Sequence, residues 1–143
     1  MSTRSRIALK NDDGTIRSIY CHFDGYPEGG VGDKLKKYYT TKEEINKLLD
    51  LGDLSTLGSK YDEEKAKRYW EVMDNEEPSK WESVLEEIRG YTIPYKDRSG
   101  ERDVEARVDE NEVKFIEQVG ECWEDWTYLF DNKWIIVEEG KDL

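Results

Sequence analysis

The chain has 143 residues, 34 acidic side chains against 22 basic ones, and a formal charge of -12. That length holds one domain, and five Trp with nine Tyr supply the buried area that a 36% hydrophobic share would otherwise leave thin. No apolar run approaches the roughly 20 residues that cross a bilayer, the start MSTRSRIALK lacks the apolar stretch of a signal peptide, and two cysteines make no disulfide framework, so a soluble cytoplasmic protein with free thiols is expected.

The first elements are two strands, Arg6 to Lys10 and Thr15 to Asp24, around Asn11-Asp12-Asp13-Gly14, whose Asp-Gly step marks a hairpin turn. In the second strand Ile19, Cys21 and Phe23 share one face, and Tyr20, His22 and Asp24 the other, because side chains alternate with period two. A glycine-rich connection, Gly25 to Gly32, leads into a helix carrying Leu35, Tyr38 and Tyr39. Thr41 with Glu44 makes a capping box for a second helix presenting Ile45, Leu48 and Leu49, stopped by Gly52. Ala66, Tyr69, Trp70 and Met73 recur at helical spacing, as do Trp81, Val84, Leu85 and Ile88 after Pro78, with Gly90 as the stop. Tyr91 to Tyr95 contains Pro94 and reads as an edge strand or loop, whereas Val104, Ala106 and Val108 alternate as a middle strand. Asp109 with Glu112 caps a helix running to about Val119, and Trp126 to Phe130 with Lys133 to Glu138 flank Asp131-Asn132 as a second hairpin. The fold class implied is α+β: an antiparallel sheet of N- and C-terminal hairpins plus a middle strand, helices on one face, all in one domain spanning 1–143 with an acidic helical insert at about 60–90.

The charge sits in the second half. Residues 1–59 balance nine acids with nine bases, while residues 101–143 hold fourteen acids against five bases. Such a field repels phosphate backbones, which disfavours direct nucleic-acid binding, and attracts basic surfaces; it also keeps a small domain dispersed.

The string STRSRIALKNDDGTIRSIYCHFDGYPEGGVGDKL, followed by LLDLGDLSTLG and later by YKDRSGERDVEARV and DWTYLFDNKWIIVE, resembles a family of small proteins common in bacteriophage and prophage genomes. The resemblance covers roughly residues 2–58 and 92–138. It implies a viral origin and a bacterial host cell rather than a particular activity, and it leaves residues 60–90 as a variable segment.

Three groups of residues bear on chemistry. The strand face of Tyr20, His22 and Asp24, with Tyr26 just beyond and Arg4 and Arg98 as cations, is the expected small-molecule site. Cys21 points the other way, so a Cys-His nucleophilic pair is not expected, and one His with two distant Cys gives no metal spacing. The glycine-rich loop resembles a phosphate cradle only in outline: Val31 stands where a Walker lysine would, and Leu35 where a dinucleotide loop has its third glycine. Finally Glu76, Glu77, Glu82 and Glu86 of the insert, together with Trp123, Glu124 and Asp125, are the expected partner-binding residues, since rings provide contact area and carboxylates steer a basic surface.

The leading expectation is a non-enzymatic, phage-encoded binding protein without a cofactor. It would act as a counter-defence or host-takeover inhibitor, its acidic face blocking a basic, nucleic-acid-binding host protein as anti-CRISPR and DNA-mimic proteins do. The alternatives are a sponge that sequesters a nucleotide immune signal and, third, a small enzyme acting on a phosphorylated small molecule, for which no triad is visible.

Overall fold

The computed structural model describes residues 2–143. Strand β1 (Ser5–Lys10) and strand β2 (Ile16–Cys21) form the expected hairpin, paired in register from Ser5 with Cys21 to Lys10 with Ile16. Its turn is held by the Asn11 N–H donating to the Thr15 carbonyl and by Gly14, whose φ of +88° only glycine adopts cheaply. Helix α1 (Val31–Tyr38) follows the glycine-rich loop, and helix α2 (Lys42–Leu49) starts at Thr41, whose Oγ1 accepts from the Glu44 N–H and donates to its carboxylate. Strand β3 (Leu54–Thr56) then runs parallel to β2, and helices α3 (Glu63–Asp74) and α4 (Pro78–Glu87) make an antiparallel pair. Strand β4 (Ile93–Pro94) leads into a single 3-10 turn, Tyr95–Asp97; strand β5 (Arg107–Asp109), helix α5 (Glu112–Glu117), and strands β6 (Trp126–Phe130), β7 (Trp134–Ile136) and β8 (Lys141–Asp142) complete the chain.

The strands form one α+β sheet in the order β4-β3-β2-β1-β6-β7-β8, with β5 beside the first half of β2. It is mostly antiparallel and built from the N- and C-terminal strands, but the two hairpins meet through a parallel pair, β1 with β6. Alternation does not distinguish the two directions, because period two is common to both. On one face Ile7, Leu9, Ile19, Cys21, Tyr128 and Phe130 pack beneath α1 and α2, joined by Leu35, Ile45 and Leu49. On the other, Ala8, Ile16 and Leu129 meet Phe115 of α5. The α3–α4 pair sits at the β4 end, where Trp70 stacks on Tyr95 and donates its indole N–H to the Pro94 carbonyl at 2.9 Å.

Two local expectations are corrected. The side chain capping α5 is Asn111, which accepts from the Lys114 N–H, while Asp109 ends β5 and receives hydrogen bonds from Arg107 and Gln118. The apolar face expected on α4 is buried only at Val84: the helix packs mainly on α3 and is not sandwiched, so Trp81 and Leu85 are left 40% and 50% exposed.

Candidate functional site

Beyond the ground covered by α5, the second sheet face is polar. Arg6 is a cross-strand partner of Tyr20 in register, and the next residues outward are Arg4 and His22. The Tyr20 hydroxyl lies 2.7 Å from His22 Nδ1. Burial and the nearby Arg4 charge push His22 below its ordinary value of 6.5, so the ring is neutral at pH 7. Burial pushes the Tyr20 phenol up to about 12, against the pull of Arg4, so it keeps its proton. A neutral phenol either donates to Nδ1 or accepts from it; in both cases Tyr20 occupies Nδ1 and leaves Nε2 as the ring nitrogen free for another partner. This part of the expected constellation is formed.

The remainder is not. Strand β2 stops at Cys21, and Asp24 enters a left-handed turn (φ 55°) with its side chain exposed and its carbonyl accepting from the Val31 N–H. The strand alternation that placed Asp24 beside His22 therefore ends one residue before the histidine. Tyr26 lies in a different depression, of about 500 Å³, between the start of α1 and the C-terminal strands, with Trp126 and Glu139. Arg98 is committed elsewhere, its guanidinium bonded to Asp74 and Glu101 and lying over the Trp70 ring.

The glycine-rich loop is equally closed to phosphate. Four of its amides are spent internally: Gly25 donates to the Thr3 carbonyl, Gly29 to the Asp33 carboxylate, Val31 to the Asp24 carbonyl and Gly32 to that of Tyr26. Close packing explains the glycines, since a Cβ on Gly30 would lie 2.1 Å from the Asp24 oxygen and one on Gly32 2.3 Å from that of Pro27.

Of the expected partner-binding residues, Glu124 is corrected outright. Its side chain is fully buried, with Oε2 2.7 Å from Arg6 Nε and Oε1 accepting from the Cys122 N–H at 2.8 Å. Arg6, itself 6% exposed at the side chain, also donates to Ser18 Oγ at 3.0 Å. Sequence reasoning missed this buried ion pair; the arginine alternating with alanine and lysine in an otherwise apolar strand was its only trace. Trp123, by contrast, is 78% exposed at a left-handed φ of 64°, with Asp125 exposed two residues on. Glu76, Glu82 and Glu86 are exposed, and Glu77 pairs with Lys80. Trp123 and the α4 acids do not form one surface: α4 rides on α3 at the β4 end, and Trp123 belongs to the loop entering β6, with β3, β2 and β1 between.

Among the described residues no group of three or more His, Cys, Asp or Glu could hold a metal ion, and no helix is long and apolar enough to cross a membrane. Comparison with family models, with curated proteins and with solved structures returned no match to this chain.

Proposed function

We propose that the protein works by occupancy, docking the exposed flank of α4 onto a basic surface of a partner protein. The observation that carries this reading is the pairing of an apolar row with an acidic one on that helix. Trp81 and Leu85, one turn apart, stay exposed, and Glu82 and Glu86 occupy the adjacent row by the same spacing. A half-exposed tryptophan framed by carboxylates combines contact area with electrostatic steering, which is the composition of an interface centre against a cationic surface. The resemblance to phage proteins implies a bacterial host cell as the setting; the acidic row is what points to a nucleic-acid-binding host protein as the partner, its basic surface blocked as a DNA mimic would block it. The catalytic alternative has less to draw on, since the single histidine is neutral, tied to Tyr20, and has no Ser, Thr or Cys side chain hydrogen-bonded to it among the described residues.

The test is capture of host proteins on the immobilised chain, compared with a Glu76→Lys/Glu77→Lys/Glu82→Lys/Glu86→Lys variant, a Trp81→Ser/Leu85→Ser variant and His22→Ala. A specific partner should be retained by the parent and by His22→Ala, lost by the other two, and bound with an association rate that falls as salt rises. A partner held equally by the charge-reversed protein refutes the reading.

A further inference from the structure

Arginines on this chain are surrounded by carboxylates, and six of the eight have one within 4.0 Å. Arg102 lacks a partner because it lies in solvent. Arg4 is different: it is half-buried, its Nε is shut off from water, and among the described residues that nitrogen has no hydrogen-bond partner. Leaving a buried guanidinium nitrogen unmatched is costly, and on a chain of charge -12 an acidic partner would be easy to supply. The carboxylates at this end are already engaged: Glu124 by Arg6, Asp53 by the Tyr20 N–H at 2.9 Å, and Asp125 by the Arg4 backbone N–H. Beside Arg4, close enough to feel its charge, stands His22, whose Nδ1 is taken by Tyr20 and whose Nε2 has no hydrogen-bond partner among the described residues.

We propose that Arg4 and His22, with Tyr20 orienting the imidazole, form a site for the phosphoryl group of a small molecule. With Tyr20 donating to Nδ1, the imidazole presents an Nε2–H, and this donor just past the end of β2 together with a guanidinium just before β1 offers more than one donor group, which suits a tetrahedral oxyanion better than a planar carboxylate. The Phe23 ring, 42% exposed and edge-on to His22 at 4.5 Å between centroids, gives the rest of the ligand a flat apolar surface, so a nucleoside monophosphate is the natural size and class. The site keeps three of the residues singled out in the sequence and discards Asp24, Tyr26 and Arg98. It is separate from the α4 surface, so either can fail without the other.

The lone histidine makes the test direct, because the full chain gives one set of imidazole signals in NMR. Titration with inorganic phosphate and with AMP, at constant ionic strength, should move those signals saturably, AMP at lower concentration, and acetate should not. Arg4→Ala should weaken AMP by about ten-fold or more, the usual worth of a charge-assisted hydrogen bond, and Arg4→Lys by less. Near-UV dichroism verifies each fold, and Tyr20→Phe, which frees the imidazole to turn, supplies a second weakening should Arg4→Ala misfold. No saturable movement with phosphate or AMP, movement unchanged in the variants, or acetate acting as well as phosphate would each overturn the assignment.

Discussion

Replacing Glu124 with alanine should cost the fold about 3–5 kcal/mol, because it strands a charge rather than merely deleting a contact. The Glu124 side chain is wholly buried, and its two oxygens serve Arg6 Nε at 2.7 Å and the Cys122 N–H at 2.8 Å. Without them Arg6, 6% exposed and held over Ser18, carries a cation with no carboxylate within ion-pair distance and only the more remote charge of Asp53 to offset it. Exposed pairs such as Lys67 with Glu63 are worth about 0–1 kcal/mol by comparison. In urea, with an m-value of about 2 kcal/mol/M, the midpoint should fall by about 1.5–2.5 M. The double variant Arg6→Met/Glu124→Leu should recover most of that loss, since apolar residues of similar volume replace a buried pair at little cost. Acid gives an independent check. Burial is the largest single influence and would raise the Glu124 carboxyl, but the Arg6 hydrogen bond and charge together with backbone N–H donors, that of Cys122 among them, outweigh it and hold the group below its ordinary 4.5. A depressed carboxyl stabilises fully above its unfolded value and loses that contribution as pH falls through the folded one, so parent and Glu124→Ala should converge below about pH 4.5. A midpoint shift under about 0.5 M, or no convergence in acid, would refute the view of this pair as a buried anchor of the sheet.

The two thiols should separate cleanly: Cys122 is exposed and should react with a thiol reagent in the native protein, whereas Cys21, fully buried and pushed up to about 12 by that burial, should react only on unfolding. Labelling of two thiols per native chain would contradict the packing of β2. Removing residues 121–143 should unfold the chain, because β6 pairs with β1 over five residues and carries Tyr128, whose hydroxyl donates to the Gly25 carbonyl at 2.6 Å. A truncated protein keeping native near-UV dichroism would show the C-terminal strands to be an appendage.

What the sequence made legible was local. Asn11 to Gly14, the Thr41–Glu44 box, Pro78 and the turn at Asp131-Asn132 are each a chemical instruction to a few neighbouring residues, and each is obeyed. The failures are of range. Nothing in Ser5 to Lys10 says that Trp126 to Phe130 will lie parallel beside it, more than a hundred residues away, and β3, β4 and β8 are only two or three residues long, too short to show a period. Helix α4 illustrates the same limit from the other side: Trp81, Val84, Leu85 and Ile88 carry a buried-face pattern, but periodicity counts apolar residues without knowing whether a second layer exists to cover them.

The candidate site was half legible for a related reason. Alternation set Tyr20 and His22 together correctly because it needs only an extended backbone, and it failed at Asp24 because a left-handed turn is a property of how Gly25 to Gly32 packs against Asp24 and Pro27. Charge counting misled in the opposite sense. Glu124 between Trp123 and Asp125 looks like surface, and only three-dimensional pairing shows that it is the counter-ion of Arg6, some 118 residues earlier. Once that pair is assigned, the cation left over is Arg4, and its isolation can be seen only after every carboxylate in the neighbourhood has been given its partner. The unmatched nitrogen of Arg4 thus owes less to the arginine itself than to the prior commitment of the acids around it.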